Sequence, residues 1–272
     1  MSQDSPSAHG RAGAPPAPGG AGGWGDRGEI KPRGGGWAAG GSGLGPRGWA
    51  WRWALWLWIA LAILGAFFYA PLAQDFIGQS SRILFFHVPM AWTSLVAFVA
   101  AGAWSVLYLW KRRPDDDRAA AAAVELGLVL ALLATTTGAM WAKVMWHAWW
   151  NWDPRQTSIV IALVFYGAYL VLRGGIEDPE ARARLCAVYA VIGLVVAPYL
   201  YFVMPWMAKF TLHPKPVVNP AGKVEMNARM LQVLLMSSLG FTVFFFWVHG
   251  LRRRLLRLAD RRAVTAAGSA AS

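Results

Sequence analysis

Six apolar runs follow one another along the chain, at roughly 53–70, 88–110, 119–141, 157–172, 185–204 and 230–248, and polar residues gather in the gaps between them. Most of the runs can cross a hydrocarbon core of ~30 Å as helices rising ~1.5 Å per residue. The fourth is at the short limit. Pro198 lies inside the fifth, where a kink is expected. The pattern predicts an all-α membrane protein of six transmembrane helices. Ahead of the runs, residues 1–48 hold 16 of the 29 glycines and six prolines. Such a segment buries too little apolar surface to offset its ordering entropy, so it reads as a disordered tail. The expected organisation is a tail over 1–48, a six-helix domain over 49–250 and a basic tail over 251–272.

Charge then orients the helices. The N-terminal tail, the 111–118 and 173–184 linkers and the C-terminal tail carry 19 Lys and Arg, and the linkers of the other side carry 7. The positive-inside rule places both termini in the cytoplasm and the loops around 71–87, 142–156 and 205–229 outside. Net charge is +12 and mean hydropathy +0.37. The basic residues cap hydrophobic segments and do not line one face, so topology explains them and no nucleic-acid partner is implied. With the single cysteine Cys186, the chain can form no internal disulfide, CxxC redox pair or covalent CxxCH haem attachment. It also lacks a GxxxxGK[ST] P-loop and an HExxH zinc motif.

The outer loops hold the chemistry. Trp141, Trp146, Trp149, Trp150 and Trp152 fall within Trp141–Asp153, alongside His147. Tryptophans favour membrane interfaces, and an aromatic belt accounts for Trp141 and Trp206. A cluster in a short linker also suits a platform for a flat aromatic ligand. If 142–152 is helical, Trp146, Trp149 and Trp150 share one face opposite Lys143, His147 and Asn151, as in an interfacial amphipathic helix. Asp153 reads as a helix N-cap with Pro154 at the first helical position and Gln156 completing a capping box. That leaves Arg155 to meet an anion. His87 and His213 reach the same outer surface from separate loops. Two neutral imidazoles on opposite faces of a macrocycle are what a six-coordinate haem iron requires, and indoles would stack on the ring. Arg82 or Arg155 would meet its propionates. Glu125, near the inner end of the third helix, reads as snorkelling or paired with Arg118.

These residues carry a resemblance. Six helices, an outer RILFFHVP histidine, a WxxWWxWD motif and an outer TLHP histidine resemble the CcmC family, over about residues 50–248. The resemblance implies a haem-handling inner-membrane subunit of bacterial cytochrome c maturation, with the haem site facing the periplasm. It implies haem b as the transported ligand, and delivery to a CcmE-like haem chaperone. The implied partners are the ABC-transporter subunits CcmA and CcmB, a CcmD-like small membrane protein and the lipid bilayer. His87 and His213 take the axial-ligand role by motif match, and Trp146, Trp149, Trp150, Trp152 and Asp153 the tryptophan-motif role. The chain departs from that family at His147, where Gly is usual, and at Pro154-Arg155-Gln156, which leans toward the WDP motif of the haem lyases CcmF and CcsA. A haem lyase is therefore the alternative function. A copper transporter, using Met90, Met140, Met145, Met204 and Met207, is a weaker one.

Overall fold

The computed structural model describes residues 46–73, 77–208, 210–213 and 226–270. The tail expected over 1–48 lies almost wholly outside these. The helices are α1 (Pro46–Leu64), α2 (Leu84–Lys111), α3 (Pro114–Trp146), α4 (Pro154–Gly175), α5 (Pro179–Pro198) and α6 (Ala228–Ala270). A π-helical turn, Gly65–Tyr69, ends α1, and another, Tyr199–Val203, extends α5 into the helical turn Met204–Met207. Six helices, with these extensions, are long and apolar enough to cross a membrane. Pro198 does not simply kink the fifth run. It stands where α-helix gives way to π-helix, a register change that a missing N–H tolerates.

Local chemistry sets the boundaries. Pro occupies a first-turn position in α3, α4 and α5, where its missing N–H costs nothing and its φ is already helical. Asp115, Asp116 and Asp117 fill the first turn of α3, where the helix dipole favours negative charge. Asp178 caps α5 through Ala181 N at 2.6 Å. The fourth helix is longer than its apolar run because this capping chemistry starts it at Pro154.

The centre is held by close approach. Ala119 to Ala123 on α3 are all buried, and such small side chains let membrane helices touch along their backbones. Gly127 continues this face. A Cβ there would meet Phe98 Cε1 at 2.6 Å, and Phe98 stacks on Tyr166 of α4 at 3.6 Å and 3°. A different glue holds the arginine-rich end. Arg173 of α4 makes a bidentate pair with Asp117 at 2.8 and 2.7 Å, and Asp115 pairs with Arg253 and Arg257 of α6.

These pairs bear on two expectations. The basic segment expected from 251 onward is helical through Ala270, as the continuation of α6, and its Arg253 and Arg257 lie on the start of α3. Glu125 does not pair with Arg118. It takes Arg252 at 2.6 Å, while Arg118 goes to Asp260 at 2.6 Å. Both partners arrive from α6, which a reading of neighbouring sequence does not reach.

Arg173 and Asp117 are mostly shielded, so removing one strands the other. Asp117→Ala should cost about 3 kcal/mol, read as a lowered thermal midpoint in detergent. Asp117→Leu with Arg173→Met should recover most of it.

Candidate functional site

The tryptophan stretch is mostly not helical. Helix α3 ends at Trp146, and His147 turns left-handed at φ 58°, where glycine is the usual residue. Trp152 is left-handed too, at φ 55°. The helix considered over 142–152 is therefore formed only as far as Trp146, as the end of α3, and residues 147–153 form a loop back toward α4. Bulky residues occupy this backbone region only when their surroundings impose it. Here Lys143 Nζ donates to His147 O at 3.1 Å, Thr157 Oγ1 to Trp152 O at 3.1 Å and Asn151 N to Gln156 Oε1 at 2.9 Å. Gln156 thus grips the loop and does not complete the capping box.

Asp153 caps α4 as expected, accepting from Arg155 N at 3.0 Å. It also does something the sequence did not reveal. Its Oδ1 accepts from His213 Nδ1 at 2.7 Å, and its Oδ2 accepts from Leu212 N at 2.7 Å and Thr211 Oγ1 at 2.8 Å. The side chain is only 1% exposed. Burial opposes its charge, yet the Arg155 and Leu212 amides, His213 and the Thr211 hydroxyl together bring its pKa below the usual carboxylate value. Burial lowers the His213 pKa below 6.5 against the pull of Asp153, and Arg155 adds to the lowering. A neutral imidazole facing a carboxylate must carry its proton on Nδ1, so Nε2 keeps a free lone pair.

His87 reaches the same tautomer by another route. It sits in the first turn of α2, inside the helix and not before it. Its Nδ1 lies 3.1 Å from Thr137 Oγ1. The Thr137 hydroxyl hydrogen already points to Leu133 O at 2.8 Å or Ala134 O at 3.1 Å, so Nδ1–H is the donor and Nε2 is again free. Gly138 makes room for the ring, since a Cβ there would meet His87 Cε1 at 2.8 Å.

Both imidazoles line one cleft with about 1030 Å³ of empty space, mouth included, together with Trp150 and Arg155. Trp146 stands edge-on to His213 at 5.2 Å, and Trp141 lies 6.3 Å from it. Trp149 and Trp152 face outward, 58% and 68% exposed. Arg82 does not line the cleft. It donates to the Ala66 and Ala70 carbonyls at the end of α1. His147 is exposed, and His249 is spent internally, stacked on Trp104 at 4.3 Å with Nε2 donating to Ala119 O. Sequence reasoning missed Thr137, Gly138, Thr211 and Trp92, the last of which also lines the cleft. The small polar run Thr135-Thr136-Thr137-Gly138, opposite a histidine-bearing helix, was the available signal for two of them.

A family model described as CcmC, heme exporter protein C, matches residues 45–267. The chain is 33% identical over 182 residues to a protein named heme exporter protein C from Bradyrhizobium diazoefficiens, covering 66% of this chain and 68% of that one. It is 33% identical over 193 residues to the protein of that name from Rhodobacter capsulatus, covering 71% and 78%. A putative cytochrome c biosynthesis ccmC-like mitochondrial protein of Marchantia polymorpha is 31% identical over 205 residues, covering 75% and 86%.

Asp153→Ala removes the acceptor of four donors. It should cost about 2 kcal/mol and open residues 211–213 to proteolysis, seen as faster nicking there than in the parent protein.

Proposed function

This chain belongs to the heme exporter protein C family, a multi-pass membrane protein of haem handling in cytochrome c biogenesis, and from that membership we propose how and where it holds its cargo. His87 and His213 ligate the haem iron through Nε2, one from each side. Trp150 and Trp146 wall the ring, and Arg155, whose guanidinium has no hydrogen-bond partner among the described residues, meets a propionate. Trp149 and Trp152 extend the indole surface outward. Asp153 positions His213 and fixes its tautomer, as a carboxylate does behind a metal-bound histidine. Arg82, tied to backbone carbonyls, braces α1 against α2.

The observation that carries this reading is the pair of imidazoles. They come to one cleft from α2 and from the loop after α5, far apart in the sequence, and each has its Nδ1–H committed elsewhere. By the charge count the site faces the periplasm of the inner membrane, with both termini cytoplasmic. The cargo is haem b, passed to a CcmE-like chaperone. CcmA, CcmB and a CcmD-like protein form the surrounding complex, and ATP is spent in the ABC subunits, not in this chain. The protein delivers its ligand and does no covalent chemistry on it.

Release follows from how the two ligands are mounted. His87 belongs to a helix packed on α3. Among the described residues, His213 belongs to a short loop segment hydrogen-bonded to α4 through Asp153, so its bond to iron is the one a chaperone's ligand would replace.

Haem-loaded wild-type protein should show a six-coordinate, low-spin absorption spectrum. His87→Ala and His213→Ala should each turn it five-coordinate. A wild-type spectrum from both variants would sink the assignment.

Acid should act late. His213 takes its proton in the folded protein below the ordinary 6.5, so the low-spin band should survive titration through that pH and fade only on further acidification. In haem-free protein the sign is the same. The unfolded imidazole protonates first, so stability present above about 6.5 falls as pH drops through the window beneath it. A loss of the band centred at or above 6.5 contradicts this.

A further inference from the structure

The cleft is deeper than its histidines require. From His87 it runs along α2 to Leu95, roughly 12 Å at the helical rise. Its other walls are Ile159 on α4 and Leu200 and Phe202 on the π-turn that ends α5. All these residues lie in segments long and apolar enough to cross a membrane. Two large apolar residues on its wall are exposed, Trp92 at 46% and Phe202 at 53%. Among the described residues neither makes a hydrogen bond or a ring contact. Tyr201, next to Phe202, is pinned to Ser94 at 2.7 Å. The π-turn thus holds one aromatic down and leaves its neighbour free, and π-turns occur often at functional positions.

Exposed apolar side chains on membrane-spanning helices are the ones that meet hydrocarbon, and Trp92 and Phe202 put such a side on this cleft. We infer that the cleft is loaded sideways, from the bilayer leaflet on the site's own side, with Trp92 and Phe202 as its movable rim. This rests on the haem-holding reading above. It also sets the cargo's orientation. A flat amphiphile entering here leads with its apolar ring edge, and its carboxylates trail toward Arg155 and the water-facing end. The two imidazoles then close on the iron from above and below the plane of entry.

The test uses the full chain in lipid nanodiscs, with Cys186→Ser removing the buried native thiol. Phe202→Cys is labelled with a bulky maleimide. Val195→Cys carries the same label on the same helix at a position 74% exposed and outside the cleft. Haemin supplied in donor vesicles is followed by stopped-flow appearance of the low-spin band. The label at 202 should slow loading several-fold with the same final spectrum, and the label at 195 should leave the rate unchanged. Equal rates for the two labelled proteins would overturn sideways entry. If the label at 202 abolishes binding, Trp92→Ala decides the matter: a wider mouth must load faster, and an unchanged rate overturns the proposal. If the unlabelled protein forms no low-spin complex at all, the failure belongs to the haem-holding reading and not to the route.

Discussion

Everything distinctive about the site passes through the Asp153 carboxylate. A carboxylate with its side chain 1% exposed stays charged only if its lone pairs are filled, and here four donors from two separate segments fill them. One acceptor therefore does three things at once. It starts α4, it anchors the segment 211–213, and it decides which nitrogen of His213 is free. None of these can change without disturbing the other two, which makes the helix start and the imidazole a single unit.

The rest of the molecule supplies the fixed background for that unit. The alanines and Gly127 of α3 draw α2 into backbone contact, and Phe98 on Tyr166 fills the space beside them. His87 is mounted on this rigid pair, its ring set against Thr137 and Gly138 of the neighbouring helix. The acid–arginine pairs that tie α3 to α4 and α6 sit at the far end, away from the cleft. His87 is thus set mainly by the helices packed around it, and His213 mainly by the hydrogen bonds of Asp153, with Trp146 and Trp141 beside it. Packing yields as a whole or not at all, whereas hydrogen bonds can be exchanged singly. On the proposed reading that difference separates the ligand that grips from the ligand that lets go.

The spans, their order and the meeting of His87 with His213 at one end were legible in the sequence. Each depends on a property read along the chain, namely run length and the placement of charge. The tryptophan loop was not. Trp146, Trp149 and Trp150 are spaced as one helical face, but the periodicity belongs to a site and not to a helix, and the left-handed turn at His147 breaks it. The cap role of Asp153 was legible because its partner is two residues away. Its hold on His213 was not, because that partner lies 60 residues on. Glu125 and the C-terminal arginines went the same way, since their partners are set by how α6 lies on α3.

The loop's two left-handed residues sharpen what the cleft is for. His147 and Trp152 hold backbone that glycine would adopt freely, so the loop's shape is imposed by the bonds that cross it. That shape sorts the indoles. Trp149 and Trp152 are turned out, and Trp150 is turned onto the cleft wall, where its buried Nε1–H finds no acceptor among the described residues. Arg155, on the same wall, has no acceptor for its guanidinium either. A buried donor without a partner costs about 1–3 kcal/mol, and beside the Trp150 indole on this wall stands the half-buried Arg155 cation. What would satisfy both is an acceptor-rich, anionic edge entering the cleft. The two free Nε2 lone pairs ask for the opposite, an electron-poor centre between them. A ligand with a metal at its middle and carboxylates at its rim meets both demands, and a bare metal ion meets only one.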